Sequence, residues 1–188
     1  MTPGPLVHPM DLTAETLQAG PYSLRLLARG DARELLELFS DPQVVAFMDI
    51  DPLEDLEDAE DIIDWATDLA ERGAGLRWSI RRAGEGRLIG TCGFNTLELE
   101  RGRRGEIAYD LAQAEWGRGV MAEILPHVIA FGFERLGLRR LEAMVTVGNE
   151  RSCALLERHG FQREGLLRDH AWWKGRFWDQ LIYGRVAD

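Results

Sequence analysis

The sequence has little of what metal sites and disulfide frameworks require. Only two cysteines occur among its 188 residues, Cys92 and Cys153, and their spacing is neither that of paired metal ligands nor that of a disulfide framework. The four histidines lack metal-ligand spacing as well. These absences predict a protein of a reducing cytoplasm that binds no metal.

Long apolar runs and positive charge are also scarce. No stretch approaches the roughly 20 consecutive apolar residues of a membrane span, and the N-terminal MTPGPLVHPM lacks the apolar core of a signal peptide. The 22 lysines and arginines stand against 32 aspartates and glutamates, which gives a net charge of -10. Such a chain is not expected to bind nucleic acid or a membrane, and its charge favours cationic partners.

The remaining composition and patterns predict one mixed α/β domain. Apolar residues make up 45% of the chain and charged residues 29%, as in soluble globular proteins. Residues 1–20, with three prolines, are predicted to form a loose N-terminal arm, and residues 21–188 form the domain. Periodicity gives the order strand, two helices, three strands, helix, strand, helix and two strands. Pro126 falls inside the helix predicted for residues 119–136, so a bend is expected there.

The stretch EWGRGVMAE, residues 115–123, brings Gly117 and Gly119 to the point where a strand-like run gives way to a helix. Unpaired N–H groups at a helix N-terminus attract phosphates, and glycine lets a ligand approach because it has no Cβ. GRGVMA also satisfies the dinucleotide fingerprint G-x-G-x-x-[GA], but the next strand ends in VTVGN without the acidic residue that holds a ribose. A phosphate-binding loop is therefore favoured over a dinucleotide site, and a tight strand–helix turn without a ligand stays open as the alternative.

A second motif, NERSCALLERHGF, covers residues 149–161 and is predicted to be a helix opened by Asn149, a residue type that commonly caps helices. Together with GEIAYDLAQAEWGRGVMAE, it resembles the GNAT family of acyl-CoA-dependent N-acetyltransferases over about residues 22–186. Trp116 and Met121 depart from the general family pattern [QR]-x-x-G-x-[GA]. They fit W-G-[KR]-G-x-[AM]-x-E, which is typical of the RimJ/RimL-like branch, the ribosomal-protein N-terminal acetyltransferases.

The resemblance implies a fold and a co-substrate. The implied fold is a single GNAT-like domain of the α/β (mixed α+β) class, with a mostly antiparallel sheet of about seven strands, splayed between the fourth and fifth, and about four flanking helices. Acetyl-CoA is the implied co-substrate, with its pyrophosphate on backbone N–H groups of the glycine loop and its pantetheine arm along a strand. A monomer or a homodimer is implied. The implied cofactor-binding residues are Tyr109, Asp110, Leu111, Trp116, Gly117, Arg118, Gly119, Val120, Met121, Asn149 and Ser152.

The implied reaction moves an acetyl group from a thioester directly to a primary amine. It needs a base, a hydrogen-bond donor for the carbonyl oxygen and a proton donor for the thiolate. Glu106 is the candidate base, with a surface or ligand-orienting carboxylate as the alternative, and a backbone N–H near Tyr109 is the implied carbonyl donor. Many family members carry a tyrosine acid where this chain has Leu156. Ser152 is the candidate proton donor or thiol-orienting group, against simple hydrogen bonding within its helix, and Tyr183 is a weaker candidate acid.

The branch favours a protein N-terminus as the amine acceptor. A polyamine or an amine-bearing small molecule is the alternative, and a non-catalytic acyl-CoA-binding protein is the alternative from another class. Ten carboxylates between Asp49 and Asp68 predict an acidic amphipathic helix, which is either a solvated face or a surface that attracts a cationic acceptor. The segment AWWKGRFW is expected to form cross-strand pairs, with Trp172, Trp173 or Trp178 bordering the acceptor slot.

Overall fold

The computed structural model describes residues 12–187, which form an eight-stranded sheet and four α-helices. The strands are β1 (Leu17–Ala19), β2 (Tyr22–Leu26), β3 (Leu76–Arg82), β4 (Leu88–Glu98), β5 (Arg104–Leu111), β6 (Arg140–Thr146), β7 (Gln162–Trp173) and β8 (Arg176–Val186). The helices are α1 (Ala32–Phe39), α2 (Leu56–Glu71), α3 (Val120–Ala130) and α4 (Glu150–Arg158). Within this part of the chain, no helix is long and apolar enough to cross a membrane.

The strands lie in the order β1-β2-β3-β4-β5-β6-β8-β7, and every neighbouring pair is antiparallel except β5 and β6. The predicted count of seven strands is therefore wrong by one. The extra strand, β1, pairs with β2 through a tight turn at Gly20 and Pro21, so this part of the predicted arm belongs to the sheet. A strand this short has too few residues for its alternation to be detected. Residues 1–11 of the predicted arm lie outside the described residues.

The sheet opens between β5 and β6. These are the fourth and fifth of the seven predicted strands, because β1 was not predicted, so the opening lies where the resemblance predicted it. Their pairing covers only Arg104–Glu106 against Arg140–Glu142. Beyond it, β5 stays with β4 as far as Leu111, while β6 stays with β8 as far as Thr146. A bulge in β4 lies beside this point, and bulges increase local twist. The two central strands therefore diverge and leave a gap in the middle of the sheet.

Two hydrophobic clusters hold the domain together. The larger one packs α3 and α4 against the sheet and includes Trp78, whose ring meets that of Phe131 edge-on at 5.0 Å. The smaller one joins α1 and α2 through residues such as Leu35 and Ile63. Because each cluster anchors helices beside the gap, the loops that precede α2, α3 and α4 are held around it.

Pro126 does not break α3, which remains helical through it as far as Ala130 and then continues as a π-helical turn over Phe131–Arg135. Proline has no N–H to donate to the carbonyl four residues earlier. That carbonyl, on Ala122, lies 3.2 Å from His159 Nε2, which can donate to it in the appropriate tautomer. The N-terminus of α3 is therefore held by a continuous helix, and the bend expected at Pro126 stays a prediction.

Candidate active site

A cleft of about 1690 Å³ opens at the gap between β5 and β6 and passes the N-termini of α3 and α4. It brings together most of the residues predicted for the site. The predicted residues that line it are Glu106, Tyr109, Asp110, Leu111, Trp116, Gly117, Gly119, Val120, Met121, Asn149 and Ser152. Residues far apart in the sequence therefore meet where the sheet is open.

The loop before α3 is left-handed at two glycines. Gly117 has φ +71, and Gly119, the N-cap of α3, has φ +76. Other residues rarely adopt this conformation because their Cβ crowds the backbone, so both positions require glycine. A Cβ built at either position would meet no other atom within 4 Å. The space above the loop is open to a ligand, at a helix end whose first N–H groups have no partner within the helix.

Trp116 links this loop to the end of β5 and to α4. Its indole Nε1 donates to the carbonyl oxygen of Leu111 at 2.9 Å, and the Arg151 guanidinium lies over its ring, 4.8 Å from the centroid. Arg151 and Arg158, both on α4, also line the cleft. Arg151 therefore places a guanidinium beside the glycine loop, and guanidinium groups bind phosphates well.

A pair of hydroxyl groups joins β5 to α4. Tyr109 Oη and Ser152 Oγ lie 2.8 Å apart, and either can donate to the other. Burial raises the pKa of Tyr109 to about 12, so its phenol keeps its proton at neutral pH. Asn149 caps α4, with its Oδ1 accepting from the backbone N–H of Ser152 at 3.3 Å. The cap orders the first turn of α4 and so holds Ser152 against Tyr109.

Glu106 lies at the last paired position before the gap, opposite Glu142 of β6. Its side chain is half-buried. Burial raises the pKa of Glu106 above its ordinary value, as do the charges of Glu142 and Asp49, while His170 acts in the opposite direction. A carboxylate with a raised pKa accepts a proton more readily near neutral pH, as a general base must.

Glu106 and Tyr109 point to opposite faces of the sheet, because successive side chains of a strand alternate. Tyr109 meets Ser152 on the side of α4. On the other face, two charges act on the pKa of Glu106. They are those of Asp49, from the segment between α1 and α2, and of His170, from β7. All five side chains line the same cleft. The carboxylate and the hydroxyl pair therefore flank one opening from two sides.

The carboxylate of Asp110 is engaged within the protein. It accepts from Arg77 Nη2 at 2.8 Å and from Thr91 Oγ1 at 2.9 Å, and Arg77 also donates to Asn95 Oδ1 at 3.1 Å. This buried network ties β5 to β3 and β4 beside the gap. If Asp110 binds the cofactor, it therefore does so through its backbone groups, because its carboxylate is already paired.

Two predicted site residues do not line the cleft. Arg118 projects into solvent from the glycine loop. Tyr183, on β8, is only 1% exposed, and its hydroxyl donates to Glu157 Oε1 at 3.0 Å. Because β8 lies beyond β6 from the gap, this geometry does not support Tyr183 as the acid.

The side chains of the cleft that sequence reasoning missed include the phenol of Tyr109, Arg151 and His170. The sequence assigns Tyr109 a backbone role only, because nothing local indicates that its hydroxyl meets Ser152. Arg151 could have been noted as a cation beside Ser152 in the NERS motif. His170 lies in a bulge of β7, where the register with β8 shifts, and bulges redirect side chains without a clear sequence signature.

The sequence matches one family. Residues 23–162 match the model of the acetyltransferase (GNAT) domain. The chain therefore belongs to the GNAT family of N-acetyltransferases, as its motifs predicted.

Its relatives include RimL-like ribosomal-protein acetyltransferases. An uncharacterized N-acetyltransferase, p20, of Bacillus licheniformis is 41% identical over 169 residues, covering 90% of this chain and 94% of p20. The ribosomal-protein-serine acetyltransferase of Escherichia coli (strain K12) is 29% identical over 120 residues, covering 64% of this chain and 65% of that protein. The solved structure of RimL, a ribosomal L7/L12 alpha-N-protein acetyltransferase in complex with coenzyme A, has a TM-score of 0.82 at 22% identity, covering 93% of this chain and 99% of RimL. RimL and this chain share the fold.

Proposed function

We propose that this protein transfers the acetyl group of acetyl-CoA to a primary amine, the α-amine of a protein or peptide N-terminus. The observation that carries the proposal is the arrangement of Glu106 and the Tyr109–Ser152 pair on two sides of one gap in the sheet. A carboxylate on one side and protonated hydroxyls on the other are the groups that acyl transfer to an amine needs.

The glycine-loop side of the cleft fits a CoA ester. Gly117 and Gly119 leave open space above the backbone at the N-terminus of α3, and Arg151 and Arg158 supply positive charge nearby. Backbone N–H groups of residues 117–121 would hold the pyrophosphate, as they suit an anion at a helix end. The unpaired edge of β5 near Leu111 would hold the pantetheine arm. When bound, acetyl-CoA supplies an acyl group activated as a thioester.

Side chains on the two sides of the gap then carry the two proton transfers, one from the amine and one to the thiolate. Glu106, with its raised pKa, accepts the proton that the ammonium form of the acceptor loses, directly or through water. Ser152 donates a proton to the departing thiolate, Tyr109 passes its own proton to Ser152 across their 2.8 Å contact, and solvent in the cleft returns a proton to Tyr109. A backbone N–H near Tyr109 stabilises the carbonyl oxygen as negative charge develops.

The acceptor side supports a cationic amine. Asp49, Asp61 and Glu106 line the cleft there, so a protonated amine meets carboxylates as it approaches the gap. The relatives named for ribosomal proteins favour a protein N-terminus over a polyamine. A cytoplasmic location, consistent with the free thiols of Cys92 and Cys153, is part of the same proposal.

The direct test incubates the protein with acetyl-CoA and three acceptor panels: peptides with free N-termini, polyamines and aminoglycosides. CoA-thiol release gives the rate, and mass spectrometry locates the acetyl group. Acetylation at peptide α-amines is the expected result. Preferential acetylation of polyamines or aminoglycosides would show that the acceptor belongs to that class and not to peptides. Acetyl-CoA binding without thiol release above the blank would indicate a non-catalytic binding protein.

The hydroxyl pair gives a further prediction. Ser152→Ala is expected to lower kcat about tenfold, ~1.4 kcal/mol of barrier, because water can take the place of the hydroxyl. Tyr109→Phe is expected to have an effect of similar size. If the two hydroxyls act as one relay, the double variant should lose little more than the worse single variant. Steady-state kinetics on the best acceptor measure all three losses.

The control for these three variants is Ser79→Ala, which removes a buried serine hydroxyl that donates to the Arg25 carbonyl oxygen outside the cleft. It should leave kcat unchanged. Losses that simply add in the Tyr109→Phe, Ser152→Ala double variant would contradict the relay and indicate two independent roles.

The acidic segment divides into capping and cleft-lining residues. Asp55 caps α2 by accepting from the N–H groups of Glu57 and Asp58, and the Asp58 carboxylate accepts in turn from the Asp55 N–H, so neutralising either would destabilise the helix start. Asp49 and Asp61 line the cleft instead. They are the residues with which to test attraction of the acceptor.

Asp49→Asn with Asp61→Asn is expected to raise the acceptor KM about threefold at low salt and to flatten its salt dependence, because salt screens exposed charges. Acetyl-CoA affinity should not change. KM is compared on the plateau of the pH profile, since Asp49 also raises the pKa of Glu106.

The matched control, Asp51→Asn with Glu71→Gln, removes the same charge from exposed positions outside the cleft lining. It should behave like the parent. If the cleft double variant also keeps the parental KM at low salt, these carboxylates are only a solvated surface.

A further inference from the structure

Two large aromatic side chains are exposed inside the cleft. Phe47, in the segment between α1 and α2, is 39% exposed, Trp65, on α2, is 44% exposed, and both line the cleft. Met48 and Ile62, which are partly buried against the smaller hydrophobic cluster, line it as well. These four residues form the apolar wall of the cleft. Exposed apolar surface in a concave site marks a place where a ligand binds.

Each part of the apolar wall has a carboxylate beside it. Asp49 directly follows Phe47–Met48 in the chain, and Asp61 lies one helical turn before Trp65 on α2. Residues four apart on a helix are neighbours on one face, with Cβ atoms about 5–6 Å apart. Both carboxylates line the cleft, and the charge of Asp49 acts on Glu106. A cationic amine that carries an apolar group close to its nitrogen fits both kinds of surface.

The ring of Phe47 brings the apolar wall to the edge of the gap. It lies beside Gly148, where an added Cβ would be 3.4 Å from Phe47 Cε1. Gly148 also lines the cleft and directly precedes Asn149, the cap of α4. Thr146 Oγ1, at the end of β6, donates to the Phe47 carbonyl oxygen at 2.9 Å. A group that binds on the wall is therefore close to the place where the amine would react.

The apolar wall is held in place before a ligand binds. Lys174, at the turn between β7 and β8, donates through Nζ to the carbonyl oxygens of Val45 (2.6 Å) and Met48 (3.1 Å). The same hairpin contributes Trp173 to the cleft lining. Because these contacts fix the segment between α1 and α2, little order is lost when a ligand fills the cleft beside it.

The arginines of the cleft do not oppose a cation on the side of the apolar wall. Of the three arginines that line the cleft within residues 12–187, Arg151 and Arg158 belong to α4, on the other face of the sheet. Arg77 donates to the Asp110 carboxylate at 2.8 Å, so its charge is paired. The acceptor side therefore offers carboxylates and apolar surface together.

We infer that the apolar wall binds a large apolar side chain at one of the first two positions of the acceptor peptide and so selects among N-termini. This inference rests on the proposed function and narrows its acceptor. The α-amine would lie among the carboxylates of Asp49, Asp61 and Glu106 while the apolar side chain covers Trp65 and Phe47. In an extended peptide, successive side chains point to opposite sides, so only one of the first two can face the wall.

Three isomeric tetrapeptide amides test this preference with the parent protein. Phe-Ala-Ser-Ser-NH₂, Ala-Phe-Ser-Ser-NH₂ and Ala-Ser-Ser-Phe-NH₂ have the same composition and charge, but the last carries its ring roughly 7–10 Å farther along the chain from the amine. One of the first two isomers should have a KM about tenfold lower than the last, ~1.4 kcal/mol, because burial of an aromatic ring is favourable. CoA-thiol release measures KM and kcat.

Trp65→Ala should remove the preference. It deletes the largest side chain of the apolar wall from an exposed helix position, where alanine favours the helix. KM of the preferred isomer should rise about tenfold, to the value of Ala-Ser-Ser-Phe-NH₂, with little change in kcat. KM of Ala-Ser-Ser-Phe-NH₂ and the Kd for acetyl-CoA should stay at their parental values. Phe47→Ala should act in the same direction.

Trp172→Ala is the matched control. Trp172 is 62% exposed and packs on Phe177 outside the cleft lining, so its replacement removes an exposed tryptophan without touching the apolar wall. All three KM values should stay at those of the parent. Thermal unfolding shows that each variant is folded, and Trp65→Gln takes the place of Trp65→Ala if the latter is not.

The inference is overturned if the three isomers have KM values within about twofold of one another in the parent protein. It is also overturned if the folded Trp65 and Phe47 variants keep the preference, or if Trp172→Ala weakens it equally. The comparison of isomers needs no variant, so it decides the matter even if a variant is unstable. Failure of the proposed function is distinguishable, because then none of the isomers releases CoA thiol, even with the parent protein.

Discussion

Replacement of Glu106 by glutamine is expected to lower kcat about a hundredfold or more while leaving acetyl-CoA affinity unchanged. Glutamine keeps the size of the side chain and can accept a hydrogen bond, but it cannot take the proton that the amine must lose. Glu106 lies at the edge of the gap, away from the glycine loop that would hold the pyrophosphate. CoA-thiol release measures kcat, and calorimetry measures the acetyl-CoA Kd.

The pH profile separates a base from an orienting group. Because the pKa of Glu106 is raised by burial and by Glu142 and Asp49, parental kcat/KM should rise as pH climbs through that raised value. Glu142→Gln removes one repulsion and should shift this limb to lower pH. In Glu106→Gln this rise of kcat/KM with pH should vanish. The loss of activity relative to the parent should shrink as pH nears the pKa of an α-amine, about 7.7–8.0, because the amine then loses its proton without a base. A loss that is equal at every pH would indicate an orienting role.

Thermal unfolding provides the control for structural damage. A carboxyl whose pKa is raised by folding stabilises the folded state below its unfolded pKa, and this contribution is lost as pH rises through the folded pKa. Glu106→Gln should therefore be at least as stable as the parent at neutral pH, and the difference should disappear in acid. A variant that is less stable at neutral pH would show that the activity loss has a structural origin.

Substitution of Gly119 by valine is expected to weaken acetyl-CoA binding by at least about tenfold, ~1.4 kcal/mol. The valine side chain would occupy the open space above the loop and bring a Cβ to a backbone with φ +76. Both effects act at the N-terminus of α3, where the pyrophosphate would meet the helix N–H groups. Calorimetry with acetyl-CoA measures the change.

Gly84→Val is the matched control. Gly84 is exposed, has φ +82 and would likewise meet no atom within 4 Å of an added Cβ, but it lies in the β3–β4 hairpin outside the cleft lining. Each variant should lose about 1–2 kcal/mol of stability from the left-handed strain. Only Gly119→Val should lose affinity. Equal affinity in a folded Gly119→Val protein would remove the loop from the binding site.

The local parts of the site could be read from the sequence. The left-handed glycines at 117 and 119 and the Asn149 cap are short-range features, because backbone dihedral angles and capping bonds depend on residues within one helical turn. Helix and strand periods likewise follow from neighbouring residues. The family motif and the order of elements were therefore predictable, whereas the three-residue strand β1 was too short to show a period.

Tertiary packing decided which side chains share the cleft. Tyr109 and Ser152 are 43 positions apart, and their hydroxyls meet only because β5 stays with β4 while α4 packs beside the gap. The pKa of Glu106 is raised by burial and by the charges of Glu142 and Asp49, which belong to two other segments of the chain. The sequence by itself determined the family, the order of elements from β2 onward and the left-handed glycine loop, and it supplied the candidate base. Only the tertiary structure decided that the Tyr109 and Ser152 hydroxyls meet and that Glu106 is half-buried beside the gap, because distances and burial between remote residues are set by how the elements pack.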